Sequence, residues 1–252
     1  MYDCAIKKAI DYYGKVFVSN NCGLFQVMIA NNTKRVKVRF LRTGTEVWTN
    51  AHCIESGSVV DRFYPSVCGV GYLGGDGLTV DKEGKPTMEY QAWNGMIDRC
   101  YGSKEIESYK DCIVSEEFHN FTYFKQWYEK QVGNNIKGFE LDKDILSDEC
   151  KIYSEDTCVL VPTDINLFFA KTGSKRGKYP VGVSWCRKTN KFKATCNSGF
   201  KRVTYHEDEW SAFLAYKKVK EARAKELAEK WKYSIDQRVY DKLMSYKVLL
   251  TN

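Results

Sequence analysis

Several things are missing from this chain, and each absence excludes something. No apolar run approaches the ~20 residues of a membrane-spanning helix, and the N-terminal segment Met1–Lys8 lacks the apolar core of a secretory signal. Both absences predict a cytoplasmic protein with no membrane partner. Ten cysteines are present, but none forms a Cys-x-x-Cys pair and no histidine stands at finger spacing from a pair. No zinc is therefore expected, and the thiols read as small buried hydrophobes. Histidine is scarce, with only His52, His119 and His206. Finally, Asp and Glu are wholly absent from Lys171 to Arg202.

That last absence carries the most information. The net charge is +7, yet the 32 residues from Lys171 to Arg202 hold ten basic side chains, and the rest of the chain carries 29 basic against 32 acidic. The ten are Lys171, Lys175, Arg176, Lys178, Arg187, Lys188, Lys191, Lys193, Lys201 and Arg202. A merely solvated face mixes both signs. An acid-free basic block is the electrostatic footprint of phosphate binding.

The length, 252 residues, suits one large domain or two to three small ones, and the 14% aromatic content lets small cores be built from few large side chains. Alternation predicts strands at Lys15–Ser19, Leu24–Ile29 and Val36–Leu41, with turns at Asn20–Gly23 and Asn31–Asn32 and further short strands at Val47–Trp48 and Val59–Val60. The glycine cluster Gly69–Gly77 is followed by no Lys-Ser/Thr pair, so it reads as a linker or tight turn and not as a phosphate loop. Tyr90, Trp93, Met96, Ile97, Cys100 and Tyr101 have helical spacing, with Arg99 beside the stripe. A short strand at Tyr109–Val114 and an aromatic helix from Phe118 to Tyr128 follow. In the basic segment, strands are predicted at Tyr179–Trp185, Lys191–Cys196 and Lys201–Tyr205, with turns at Thr189–Asn190 and Asn197–Phe200. A long helix from Glu207 to Trp231 comes next, with Glu207, Asp208 and Glu209 at its positive end. A last helix runs from about Ile235 to Tyr246.

One stretch looks built for chemistry. Asp142 and Asp144 stand two residues apart, and a loop and helix then lead to Asn166. Carboxylates with an amide oxygen suit a hard divalent cation such as Mg²⁺ or Mn²⁺. Lys143 between them would act as a base only after losing its proton, which the adjacent carboxylates oppose. Arg99 is a candidate to hold either a phosphate or a carboxylate.

The pattern Tyr90-x2-Trp93-x2-Met96-x2-Arg99-Cys100-Tyr101, followed by Leu141-Asp142-x-Asp144, Tyr153-Ser154 and Cys158, resembles bacteriophage HNH-type, homing-like endonucleases. Gly182-Val183-Ser184-Trp185, Lys191-Phe192-x-Ala194 and Trp210-x2-Phe213-x2-Tyr216-Lys217 are similar to the Apetala-two-type DNA-binding domain that often accompanies them. The resemblance spans roughly residues 64–250. It implies an α+β chain of several modules: a small accessory β-domain (1–65), a degenerate ββα-metal core (66–170), a three-stranded sheet plus helix that binds DNA (171–232), and a C-terminal helix (233–252). It also implies metal-dependent cleavage of double-stranded DNA in a host cytoplasm. Asp142, Asp144 and Asn166 would then hold the metal, with Lys143 and Arg99 completing the catalytic set. DNA would be gripped by Lys175, Arg176, Lys178, Trp185, Arg187, Lys188, Lys191, Lys193, Lys201 and Arg202. Trp185 alternatively lies in the core beneath the helix, and homodimerisation is left open. The chain departs from the pattern at the general base, where the family has a histidine. This departure raises an alternative, a catalytically inactive relative that regulates or antagonises through DNA binding alone. A third reading makes the β-domain a protein-binding module.

Overall fold

In a computed structural model of the chain, the described residues are 11–104, 106–147, 150–170, 178–196 and 202–250. They form an α+β structure of small sheets and seven α-helices. The backbone divides into two compact units, residues 1–126 and 127–252.

The first unit opens with an antiparallel meander of β1 (Val16–Ser19), β2 (Gly23–Asn32), β3 (Arg35–Phe40) and β4 (Glu46–Thr49), in spatial order β1-β2-β3-β4. The strands hold because apolar residues recur at every second position. Phe25, Val27, Val36, Val38 and Phe40 share one buried face, which Ile54 of α1 (Ala51–Glu55) and Val59 complete. The strand predicted at Val59–Val60 does not form. Ser19 Oγ instead donates to the Val59 carbonyl at 2.7 Å, which satisfies that group without a ladder. The turn predicted at Asn31–Asn32 falls two residues later, at Thr33–Lys34. β2 runs through both asparagines, and Asn32 Oδ1 accepts the N–H groups of Lys34 (2.9 Å) and Arg35 (3.0 Å).

The glycine cluster is a turn region, with Gly69 and Gly74 at positive φ. Arg62 straps it, Nε donating to the Gly74 carbonyl at 3.0 Å and Nη2 to that of Gly77 at 2.7 Å. Helix α2 (Met88–Tyr101) then buries Trp93, Met96 and Ile97. Trp93 Nε1 donates to the Phe118 carbonyl at 2.7 Å, and the Tyr90 and Trp93 rings meet Phe121 at 5.2 and 5.4 Å. The strand predicted from Tyr109 shrinks to β5 (Ile113–Val114), because a 3₁₀ turn at Glu107–Tyr109 and the positive φ of Asp111 precede it. The single aromatic helix predicted from Phe118 to Tyr128 is two, α3 (Glu116–His119) and α4 (Phe121–Lys130). Asn120 separates them with extended ψ, and its Oδ1 accepts the Thr122 N–H at 3.0 Å, so it ends one helix and caps the next.

The second unit contains β6 (Phe139–Asp142), β7 (Ile152–Tyr153), β8 (Val159–Pro162) and α5 (Thr163–Phe169). Next come β9 (Val183–Cys186), β10 (Lys191–Cys196), β11 (Arg202–His206), α6 (Glu209–Trp231) and α7 (Gln237–Met244). β6 and β8 pair antiparallel, while β9, β10 and β11 form an antiparallel sheet in order β11-β10-β9. Helix α6 has 23 residues and begins at Glu209, two residues later than predicted, because Asp208 is its cap: Asp208 Oδ1 accepts the Ser211 N–H at 2.8 Å. Its N-terminal half covers one face of the three-stranded sheet. Its C-terminal half packs Ala224, Leu227 and Ala228 against Val159, Val161, Ile165 and Phe168, with Val239 and Leu243 of α7 closing the cluster.

The first strand of that sheet begins at Val183, four residues later than predicted, because Gly182 turns the chain with φ +76°. A Cβ there would lie 2.2 Å from the Tyr216 ring, so only glycine lets the strand approach α6 this closely. The turn predicted at Asn197–Phe200 lies outside the described residues. Gly182→Ala should cost about 2–4 kcal/mol, a left-handed backbone penalty plus overpacking. Gly138→Ala, with φ +87° but open space around the new methyl, should cost only the backbone share of about 1–2 kcal/mol. Urea unfolding compares the two, and equal losses would contradict the close approach at Gly182.

Candidate functional site

The predicted metal-binding residues resolve into separate small arrangements. Asp142 ends β6, and its Oδ1 accepts the N–H groups of Asp144 (2.8 Å) and Ile145 (2.7 Å). This is an Asx turn that carries the chain off the strand. Asp144 therefore stands in the turn and not on the strand. Its carboxylate, 61% exposed, pairs with Lys143 Nζ at 2.5 Å. Lys143 itself is buried; its ammonium also lies 3.4 Å from the Cys150 carbonyl and 5.6 Å from the centre of the Tyr153 ring. A carboxylate, a carbonyl and a ring face are the surroundings of a cation and not of a neutral amine acting as base. Among the described residues, no group of three or more His, Cys, Asp and Glu is arranged to hold a metal ion.

Asn166 sits on α5, on a helix as its sequence position predicts, but its hydrogen bond is to Glu140, which is not among the predicted site residues. Its Nδ2 donates to Glu140 Oε2 at 2.5 Å, and Thr163 Oγ1 donates to Glu140 Oε1 at 2.8 Å. Glu140 and Asp142 are two apart on one strand, so they share a face. The sequence signal was the Glu-x-Asp alternation in β6, which the nearer Asp142/Asp144 spacing masked. Arg99 lies on α2 in the first unit, its guanidinium 5.5 Å from the centre of the Tyr109 ring. His119, also in the first unit, packs edge-on against Tyr101 at 5.8 Å. Loss of solvent pulls its pKa down.

The basic segment is organised differently. The pairings Phe192 with Trp185, Ala194 with Val183 and Phe192 with His206 put those side chains on one face. Ala194 and Cys196 are 4% exposed on that face, which α6 covers. The other face carries Lys191 and Lys193 of β10, Ser184 and Cys186 of β9, and Tyr205 of β11. Lys193 stands directly across from both Ser184 and Tyr205. Tyr205 is 48% exposed, and Lys191 reaches Glu207 at 2.5 Å. Arg187 and Lys188 stand exposed in the β9–β10 turn, where Asn190 adopts φ +53°. Local donors and charge also lower the Cys186 thiol pKa, the Thr189 hydroxyl first, then the Thr189 and Lys188 amides and the Lys193 cation.

Trp185 matches neither alternative in full: strand parity puts it on the helix side, yet it is exposed and not core. The indole meets Phe192 edge-on at 4.9 Å at the open end of that face and keeps 38% exposure. Lys178 is exposed beside Tyr179, and Arg202 is exposed at the far end of β11. Lys175, Arg176 and Lys201 lie outside the described residues. The nine cysteines among the described residues are free, and burial pushes the Cys158 thiol up to about 12. No family model matches the chain, and neither does any curated protein or solved structure.

Burial raises the Asp142 pKa, outweighing the two backbone N–H groups that oppose it. A folded-state pKa above the unfolded one stabilises below the unfolded value and is lost as pH rises through the folded value. Asp142→Asn keeps an oxygen for both N–H groups and removes the titration. The variant should gain stability relative to the wild type as pH rises from about 3.5 to 7, across the carboxylate range. Thermal unfolding across that range checks the sign; a relative loss at neutral pH would show that the charge stabilises the turn.

Proposed function

We propose that this chain binds double-stranded DNA through the open face of the β9–β11 sheet. The observation that carries the reading is that Lys191, Lys193 and Tyr205 share the face left uncovered by α6, with Arg187 and Lys188 at its rim. Three strands spaced at about 4.8 Å are about 10 Å across, within the ~12 Å width of the B-DNA major groove. Arg187 is suited to bidentate contact with guanine, while the lysines supply charge to the phosphates. Trp185, on the helix side, is better suited to holding the β9–β10 edge than to reading bases.

A second reading, metal-dependent phosphodiester cleavage of the HNH type, draws on one observation. Asp142 spends only Oδ1 on the turn, and the neighbouring Asp144 carboxylate is largely exposed. Mg²⁺ or Mn²⁺ recruited there would polarise a phosphate. Against it stand the pairing of Lys143 with Asp144, the pairing of Asn166 with Glu140, and the missing motif histidine. DNA binding without cleavage, as in a regulator or antagonist, fits these pairings better.

Replacing Arg187, Lys191 and Lys193 together with Ala should weaken duplex binding at least ~10-fold and flatten the log–log salt slope by about 2 to 3, close to one for each phosphate left without its cation. An unchanged slope in fluorescence titrations would sink the interface. Supercoiled DNA incubated with Mg²⁺ or Mn²⁺ addresses cleavage, and the expected outcome is retained binding without nicking. Nicking abolished by Asp142→Ala with Asp144→Ala would instead establish the nuclease.

A further inference from the structure

The net charge conceals a second acid-free stretch. Residues 12–45 hold Lys15, Lys34, Arg35, Lys37, Arg39 and Arg42 and not one Asp or Glu. In β3 the pleat sorts them. Val36, Val38 and Phe40 fill the core, so Arg35, Lys37 and Arg39 stand on the outer face. Register brings Trp48 of β4 directly opposite Lys37, and Gln26 of β2 opposite Arg39. Trp48 is 49% exposed, with the Arg35 guanidinium 4.8 Å and the Lys37 ammonium 5.9 Å from its ring centre. Val16, Val18, Leu24 and Ile29 lie exposed on β1 and β2. The only carboxylate in the four strands is Glu46, which pairs with Lys37 at 2.6 Å.

A large exposed aromatic beside two cations, on a sheet face whose one carboxylate is Glu46 and which also carries bare aliphatic side chains, has the composition of a stacking platform. We propose that this outer face binds single-stranded nucleic acid, Trp48 stacking on an unpaired base while Arg35, Lys37 and Arg39 contact the phosphates. Charge selects a polyanion as the occupant. The exposed ring and aliphatic side chains select unpaired bases over a duplex, whose bases are already stacked and whose backbone offers them nothing to pack against. None of the β9–β11 residues takes part, so this surface and the proposed duplex interface stand or fall separately.

The test uses the whole chain and fluorescence anisotropy with a labelled oligothymidylate of ~20 nucleotides, longer than the usual footprint of one small β-domain, beside a duplex of equal length. Trp48→Ala should weaken oligothymidylate binding by roughly 5- to 100-fold, and Trp48→Phe should restore most of it. Arg35→Ala, Lys37→Ala and Arg39→Ala combined should weaken it and flatten its salt slope. Lys191→Ala with Lys193→Ala should leave it unchanged while weakening the duplex. All the replaced β3 and β4 side chains project away from the core, and an unaltered circular dichroism melt confirms folding of each variant. No single-strand binding by the wild type would overturn the proposal. So would binding that survives both Trp48→Ala and the triple substitution, or an equal loss on both probes.

Discussion

The contact on which the second unit depends is the approach of the β9 backbone to the Tyr216 ring at Gly182. It decides which side of the three-stranded sheet is roofed by α6. Once Gly182 lets the strand settle on the helix, Val183, Ala194 and Cys196 must face inward, and period-2 geometry sends Ser184, Lys193 and Tyr205 outward. A slip of one residue would turn Lys193 toward the helix and expose Ala194, and unpaired burial of an ammonium costs far more than any surface interaction returns. The same helix ties this sheet to the rest of the unit. Lys220, midway along α6, donates to the Phe168 carbonyl at 2.8 Å and lies over that ring at 3.8 Å. Desolvation lowers its pKa, as befits a lysine that spans two packing regions.

Much of the architecture was legible because it rests on alternation and capping. β3 and β10 read directly from strict period-2 patterns, and α6 from its acidic start, although the helix begins two residues later than predicted, with Asp208 as its cap. Three of the misses share a cause, which is local side-chain bonding that competes with a ladder or a helix; the late starts of β5 and β9 come instead from left-handed backbone at Asp111 and Gly182. Ser19 satisfied Val59, Asn32 moved a turn by two residues, and Asn120 cut a helix in two. Each depends on where one short polar side chain points, and composition does not encode that.

The site residues were less legible for a related reason. Spacing in sequence suggested that Asp142 and Asp144 act together, but a strand end changes what a spacing of two means. Within β6, a spacing of two puts Glu140 and Asp142 on the same face. One step past its end, Asp142 is needed to satisfy the backbone N–H groups of the turn, and Asp144 is turned toward Lys143. Glu140 is likewise held by Thr163 and Asn166, which pins α5 to the strand. Carboxylates committed to N–H, ammonium and amide donors have oxygens engaged in shaping the turn and holding α5. A metal site would have to offer more than these partners already supply.

The two basic faces obey one rule. Arg35-Val36-Lys37-Val38-Arg39-Phe40 and Lys191-Phe192-Lys193-Ala194-Thr195-Cys196 both place a polar residue, mostly a cation, before each apolar one. In a strand covered on one side, that order is a single instruction with two results. The apolar positions build the core, and the same pleat sorts the cations onto the open side as a row with a repeat of about 6.6–6.8 Å. That repeat is about twice the ~3.4 Å axial rise per nucleotide of one duplex strand, so the row can match every second phosphate. Charge that was merely abundant in the sequence thereby becomes aligned, and alignment is what a polyanion can use. The faces differ in what accompanies the cations. Tyr205 and Ser184 beside Lys193 offer hydrogen bonds suited to groove edges, whereas Trp48 beside Lys37 offers a ring for a base that has lost its partner.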